Sequence, residues 1–463
     1  MPELPEVETV KNILNPIIKG KKITDIIIYR DKNIVTGCKQ FKQILIGKKF
    51  LSVERKGKFL LFNVEDDYVI LSHLRMEGKY FESVKGKKIN QHDIFAYVLD
   101  DSITLVYNDV RKFGEAGLYK KDELYIKSPL SKLGPEPYDV DANNLYEQIK
   151  RKSCTIKESI MDQNIISGIG NIYADEVLFA TNLDPRMPSN QISLEDCIKI
   201  KAESIRILDE AIFEGGSTIK SYHPKEGIDG KMQSKLRAYG RGGLPCFNCG
   251  TKLRKITVGG RGTCFCPKCQ KDANRPYVLG VTGRIHSGKT LVSKYLESKG
   301  YIVFNADQVA KEVYNNPKIK IKIINLLGPN SYLDEKVNSK YIRQVLIAKP
   351  ELKNELDLII HPQVFKAAKE FVKNTNVNQK IVLDIPLITS ANIDSLCDEI
   401  LLIDSSLDSR RARLKKEGRD YSSLLKINSS YPFAFIKNLS TYFIENNSSE
   451  EDLYKKIDNL NLF

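Results

Sequence analysis

No stretch of this 463-residue chain is apolar for long enough to cross a membrane as a helix, which excludes a membrane-spanning helix. The N-terminus lacks the basic-then-apolar pattern of a secretory signal, so export is not expected. There is no internal repeat and no long low-complexity tract, so the chain reads as ordinary globular domains. Charged residues make up 28% and the hydrophobic set 41%, within the usual soluble range, and the length suggests roughly two to four domains. Acidic residues are nearly missing from one segment only. Residues 231–276 hold 11 Lys and Arg against 1 Asp or Glu, whereas 1–230 hold 34 against 35 and 277–463 hold 27 against 22. The net charge of +14 is therefore focused in a short stretch. A solvated lysine-rich face is usually diluted with acids, so a surface that meets phosphate is favoured there.

The pattern along the chain changes three times. Residues 1–128 carry, after one N-terminal helix, short β-rich runs separated by turn residues (KKITDIIIYR, KFLLFNV, DYVILSHL, HDIFAYVL, SITLVYND), which read as a β-sandwich. Residues 129–224 turn helical, with apolar spacing of three and four in LYEQIKRKSC, IKESIMDQN, NIYADEVLFAT and LEDCIKIKAESIRILDEAIFEGG. Residues 225–275 are glycine-rich, basic and cysteine-bearing, as hairpins around a metal would be. Residues 277–463 open with a strand (YVLGVTG), a helix (SGKTLVSKYLESKG) and a strand (YIVFNAD), the unit of a parallel α/β sheet.

Three motifs carry chemistry. Cys246, Cys249, Cys266 and Cys269 form C-x2-C-x16-C-x2-C. Each pair can bring two thiolates to one tetrahedral Zn²⁺, and four cysteines close the shell, so the metal is structural. Cys264 falls at the wrong offset and stays outside the ligand set. The use of nine cysteines fits thiols and a metal site in a reducing cytoplasm better than disulfides. GRIHSGKT satisfies G-x-x-x-x-G-K-[ST] with Gly283, Gly288, Lys289 and Thr290, and encloses Ser287. With a strand before it and an amphipathic helix after it, this is a phosphate loop: amides cradle phosphates, the lysine reaches the terminal ones and the threonine binds Mg²⁺. The third motif is the opening MPELPEVETV. Once Met1 is trimmed, Pro2 offers a secondary amine, and an α-amine titrates near pH 8, low enough for an appreciable nucleophilic fraction at neutral pH. The competing reading is a helix start, with proline and glutamates in the first turn.

MPELPEVETV, HLRMEGKY, NDVRKFGEAG, LGPEP, DQNIISGIGNIYADEVL and the terminal cysteine pairs occur in this order. Residues 1–272 thereby resemble formamidopyrimidine-DNA glycosylases, which excise oxidised purines such as 8-oxoguanine and nick the abasic site. The resemblance implies a β-sandwich, a helix–two-turn–helix domain and a zinc hairpin, acting on double-stranded DNA as a monomer. It implies Pro2 as the nucleophile at the sugar's anomeric carbon, Glu3 as its acid/base partner, Lys58 as an aid to the first elimination and Arg261 as an aid to the second. Taken alone, Lys58 and Arg261 are ordinary surface bases, and Glu6 is a helix-start charge that could reach the pocket. Met76, Arg111 and Phe113 match residues that fill the gap left by a flipped base, although Met76 and Phe113 could equally be core. His92, Arg111 and Asn171 match DNA-contacting positions, and residues 217–233 match the segment that covers the flipped base. Glycosylases for oxidised pyrimidines share the catalytic proline; the LPEVE continuation and the Arg111/Phe113 wedge favour the purine branch.

Residues 277–463 resemble dephospho-coenzyme A kinase through VLGVTGRIHSGKT, FNADQVAKEVY, IIHPQV, VLDIPL and SRRARLKKEGRD. The resemblance implies ATP with Mg²⁺, dephospho-coenzyme A as acceptor, and Asp307 as the base that takes the ribose 3′-hydroxyl proton; a helix N-cap is its other reading. Arg410, Arg413 and Arg419 would clamp phosphates from a lid, or lie on a solvated helix. Arg284 and His286 stand where this family usually has glycine, Asn305 and Ser390 where it usually has acids. A nucleotide-binding module without turnover therefore remains the alternative for this half.

Overall fold

The computed structural model describes residues 2–84, 90–100, 103–217, 231–272, 274–386, 390–416, 432–460 and 462. Most of the segment expected to cover a flipped base, and Arg419, lie outside the described residues. The chain divides into two compact units, one made mostly of residues 1–270 and the other mostly of residues 271–463.

The first unit begins with a helix at Leu4–Ile18, whose buried stripe (Leu4, Val7, Val10, Leu14, Ile18) recurs at three and four residues. Glu6 answers an orphan donor of its first turn by accepting the Glu3 amide at 2.8 Å. Two four-stranded antiparallel sheets follow. One orders its strands Ile23–Ile28, Asp93–Leu99, Ile103–Asn108, Lys79–Val84; the other orders Phe50–Lys56, Phe59–Val64, Tyr68–His73, Glu115–Lys120. Their core is aromatic, with Phe41, Phe50, Phe62, Phe95, Tyr97 and Tyr107 fully buried. All five expected β-rich runs are strands, and the strands at Phe50–Lys56, Lys79–Val84 and Glu115–Lys120 complete the sheets.

Helices Ala142–Ile149, Ile156–Met161, Asn171–Ala180 and Leu194–Phe213 form the second layer of this unit. Asp141, Thr155 and Ser193 cap three of them by accepting backbone N–H groups. The first stops at Ile149, so the KRKSC end of its apolar run is not helical. Asn171–Ala180 is buried along nearly its whole length, Asp175 and Glu176 included. Strands Arg254–Val258 and Arg261–Phe265 form a two-stranded hairpin between the cysteine pairs.

The second unit is built on a five-stranded parallel sheet ordered Tyr301–Asn305, Lys380–Asp384, Tyr277–Gly283, Glu399–Asp404, Tyr442–Glu445. Both faces are covered, as an all-parallel sheet requires. Leu279, Val281, Val382 and Leu401 pack with helices Lys289–Ser298 and Glu450–Asp458, while Val278, Ile381, Leu383 and Ile400 pack with Pro317–Leu327 and Leu352–Asn374. The first strand ends at Gly283, so the phosphate loop leaves the sheet at its carboxyl edge, where open α/β sheets bind ligands.

Candidate active sites and nucleic-acid interface

Pro2 and Glu3 are both buried ahead of the first helix. The Glu3 carboxylate faces the N-terminus of Asn171–Ala180 and accepts the amides of Gly170, Ile172 and Tyr173 at 2.7, 2.9 and 3.3 Å. These are the orphan donors of a helix start, where negative charge is favoured. Gly170 is required here: a Cβ would stand 2.4 Å from the Glu3 carboxyl carbon. Burial still pushes the Glu3 carboxyl above its ordinary range, with Lys58 pulling it down and Glu6 adding to the rise. Glu6 is no mere surface charge. It is buried and accepts the Tyr173 hydroxyl at 2.6 Å and the Ser217 amide at 2.8 Å.

Lys58 is buried as well, and its ammonium donates to the Ile169 carbonyl at 2.8 Å. Burial pulls its pKa down; Glu3 and Glu6 raise it, and Arg261 lowers it further. The field of Arg261 thus reaches Lys58, so the zinc hairpin brings its arginine to the same pocket while leaving that residue exposed. The turn before Lys58 is tied down by LGPEP. Glu136 accepts the Gly57 amide at 2.6 Å and binds the Arg55 guanidinium at 2.7 and 3.0 Å, and Arg55 also reaches Glu8 at 2.7 Å. Such bidentate pairs fix direction as well as charge.

The hairpin is held by groups that sequence reasoning did not single out. Lys157 and Asp175 form an ion pair at 2.5 Å, 1% and 0% exposed. Lys157 also donates to Thr263 Oγ1 at 2.8 Å, and Asp175 accepts the Cys264 amide at 2.9 Å. Burial pushes Asp175 up to about 7 against the pull of Lys157. Glu176 accepts the amides of Arg237, Ala238 and Tyr239 at 2.8–2.9 Å. Two acids in an otherwise apolar helix were the available signal, since a charge is buried only when it has partners. Asn171, expected at phosphate, donates from Nδ2 to the Gly262 carbonyl at 3.0 Å, beside Arg261.

The four cysteine Sγ atoms all lie within 4.8 Å of one another, with Cys246 and Cys269 at 3.9 Å. Tetrahedral Zn–S bonds of about 2.3 Å place sulfurs about 3.8 Å apart, so the set fits Zn²⁺. The amides of Asn248 and Cys269 approach Cys246 and Cys266 Sγ at 3.4 Å, as thiolate knuckles do.

The wedge candidates share one end of a sheet. Lys79 and Asp93 both register with Asn108, which places Met76, His92 and the 109–113 loop together. The buried Asp109 carboxylate accepts the amides of Arg111, Phe113 and Gly114 at 2.9, 2.9 and 2.7 Å, and the Asp109 amide donates to the His92 carbonyl at 2.9 Å. Met76 and Phe113 are 37% and 58% exposed, which settles that neither is core. The Arg111 guanidinium sits 5.3 Å from the Phe113 ring centre.

In the second unit the loop Gly283–Thr290 curls around the start of its helix. Lys289 donates back to the Gly283 carbonyl at 3.1 Å. Asn446 and Ser405 donate to the Ser287 carbonyl at 2.9 and 3.2 Å, and Gly288 (φ 104°) leaves only 2.3 Å between a would-be Cβ and Asn446 Nδ2. Arg413 donates to the carbonyls of His286 and Asn446 at 2.9 and 2.8 Å, which makes it part of the loop's frame. Burial pulls Lys289 down while Asp384 and Asp307 pull it up. Asp307 is exposed in the first turn of helix Ala306–Tyr314, and Asn305 is the residue that caps that helix. Asp384, at the end of its strand, was not singled out in the sequence; it accepts Ser293 Oγ at 2.9 Å, and burial raises its pKa. Thr290, Asp384 and Asp307 offer the oxygen donors that suit Mg²⁺.

Comparisons with known proteins follow the same division. Residues 1–116 match the family model for the formamidopyrimidine-DNA glycosylase N-terminal domain, 133–223 its H2TH domain, 243–271 the zinc finger found in FPG and IleRS, and 277–452 dephospho-CoA kinase. The formamidopyrimidine-DNA glycosylase of Streptococcus mutans is 44% identical over 274 residues, 59% of this chain and 100% of the relative. That of Bacillus cereus is 42% identical, over 58% of this chain and 99% of the relative. Two Lactococcus lactis Fpg crystal structures are 39% identical over 58% of this chain and all of theirs. One is the wild-type protein with DNA containing N7-benzyl-Fapy-dG, at a TM-score of 0.56, and the other a complex with DNA containing an abasic site, at 0.55. No described helix is long and apolar enough to cross a membrane. The chain belongs to the formamidopyrimidine-DNA glycosylase family and carries a dephospho-CoA kinase domain behind the zinc finger.

Proposed function

We propose that the chain is a two-part enzyme: a glycosylase and abasic-site lyase for oxidised purines in double-stranded DNA, and an ATP-dependent kinase for the ribose 3′-hydroxyl of dephospho-coenzyme A. It works as a monomer in the cytoplasm, where the thiolates stay reduced. The observation that carries the repair reading is the Glu3 carboxylate, held by three helix amides next to Pro2 with its pKa raised. An amine nucleophile needs a proton-exchanging partner at that place.

With Met1 removed, the Pro2 nitrogen bonds to C1′ of the flipped nucleotide and the C1′–base bond breaks, its electron pair leaving with the base. Glu3 passes a proton to the sugar ring oxygen as that bond opens to the iminium. The iminium acidifies the C2′ proton; Lys58 assists its loss and departure of the 3′-phosphate, and Arg261 serves the second elimination. Met76, Arg111 and Phe113 fill the vacated stack, and His92 and Asn171 serve the DNA-facing surface. The four thiolates of Cys246, Cys249, Cys266 and Cys269 would hold Zn²⁺, which supplies a rigid base for the hairpin. In the second unit Asp307 takes the hydroxyl proton, while the amides of Gly283–Thr290 and the Lys289 ammonium receive the phosphates; Mg²⁺ would supply charge neutralisation between them.

Borohydride reduction on an 8-oxoguanine duplex, followed by mass spectrometry, tests the repair half. The adduct is expected on Pro2; an adduct on any other residue defeats the mechanism. Phosphate transfer to dephospho-coenzyme A, compared with Lys289→Ala and Asp307→Asn, tests the kinase half. A second reading, nucleotide binding without turnover, is favoured only by the side chains of Arg284 and His286 in the loop, and activity above both variants removes it.

A further inference from the structure

The phosphate loop carries an arginine at its second position. Phosphate cradles are made of backbone N–H groups, and a long side chain turned inward would fill the space the phosphate needs. Arg284 turns away from that space. Its Nε and one terminal nitrogen donate to the two Asp404 oxygens at 2.9 and 2.7 Å, a bidentate pair. Its guanidinium carbon stands 4.2 Å from the Phe433 ring centre, where a planar cation is also attracted. The placement follows from the sheet. Gly283 registers with Ile403, so the loop and Asp404 leave neighbouring parallel strands side by side. Ser405, directly after Asp404, already clamps the loop at Ser287.

We propose that Asp404 and Phe433 are positioning residues that park Arg284 outside the phosphate cradle, so that the loop still accepts a nucleotide polyphosphate. This rests on the nucleotide-binding reading of the second unit. Without the Asp404 carboxylate the guanidinium loses its anion. The carbonyl-rich mouth of the loop then becomes its nearest source of acceptors, and it enters the cradle ahead of ATP. The pair is 29% and 11% exposed, so the effect falls short of that of a fully buried pair.

The test uses the full chain, with equilibrium binding of Mg²⁺–ATP and phosphate transfer measured side by side. DNA trapping and thermal melting control for folding. Asp404→Asn is expected to raise the ATP Kd about tenfold with kcat at saturation nearly unchanged. Arg284→Ala should bind ATP about as the unaltered chain does, and the double variant should recover the affinity of Arg284→Ala. That rescue is the signature of parking, since a simple folding defect at Asp404 would persist after the arginine is removed. Equal loss from Asp404→Asn with alanine at 284 overturns the proposal, because Asp404 would then act on nucleotide directly. Tighter ATP binding by Asp404→Asn, or weak binding by Arg284→Ala, overturns it by making the arginine a phosphate ligand. ATP binding that appears only in Arg284→Ala also overturns it, because the arginine would already block the loop; no binding by any variant leaves no cradle to protect and overturns it too. The expected binding pattern without any phosphate transfer defeats the kinase reading and leaves this proposal intact.

Discussion

The two reactive centres of this chain hold buried charge in opposite ways. In the repair pocket, backbone answers it: three helix amides face Glu3, and the Ile169 carbonyl faces Lys58. In the kinase unit side chains answer it, with Asp404 on Arg284 and Asp384 and Asp307 drawing on Lys289. Backbone partners cannot leave without unfolding the element that carries them, so the first pocket stays organised whether or not DNA is present. Side-chain partners can be exchanged, which suits a loop whose cations must turn to incoming phosphates. The first arrangement serves a nucleophile that needs one fixed geometry; the second serves transfer of a charged group.

The sharpest way to separate the two is at the chain start. An uncleavable extension on Pro2 should lower borohydride trapping by about 10³-fold or more, because no other group supplies the amine. ATP binding should stay as it was. Parallel loss of both activities would show that the centres are not independent. Lys289→Ala should do the reverse, reducing phosphate transfer about 10²–10³-fold while trapping on an 8-oxoguanine duplex continues. A weaker effect would mean that Lys289 mainly stays bonded to the Gly283 carbonyl.

What could be read from the sequence and what could not divides along the same line. The phosphate loop and the cysteine pairs are local spellings whose geometry follows from a few consecutive residues, and the alternation of apolar residues placed the strands. The partners of Glu3 lie about 170 positions away in sequence, and those of Arg284 about 120. Nothing near MPEL announces that Gly170 must lack a Cβ, and nothing near GRIHSGKT announces Asp404. Lys157 and Asp175 were equally silent, because each alone is an ordinary helix charge and only their pairing ties the hairpin to the helices. The register that brings Met76, His92 and Phe113 to one sheet end is likewise a property of strand pairing, not of any single run.

A smaller effect tests whether the hairpin belongs to the first centre alone. Cys246→Ser should release zinc, measured by elemental analysis, and weaken DNA binding by about tenfold or more, since the basic segment loses its frame. ATP affinity should hold. If it falls as well, the metal supports the folding of both units.

The smallest predicted effect concerns a histidine that the mechanism does not use. His73 closes its strand with the ring edge-on to Phe59, and its Nδ1 accepts the Arg75 amide at 2.9 Å. Burial first, then the nearby charges of Arg75 and Lys58, pull its pKa down to about 3. An unfolded imidazole titrates near 6.5. Between these values the unfolded chain binds a proton that the folded chain refuses, so stability is full above pH 6.5 and is lost as pH falls toward 3. The slope approaches about 1.4 kcal/mol per pH unit and belongs to this one residue. His73→Asn keeps an acceptor for the Arg75 amide but has nothing to protonate. Its deficit at pH 7, read from the melting step that releases zinc, should shrink by about 2 kcal/mol on going to pH 5. A deficit that stays constant across that range would mean that the imidazole is open to water beside Lys58, and the dry pocket on which the contrast with the phosphate loop depends would not exist.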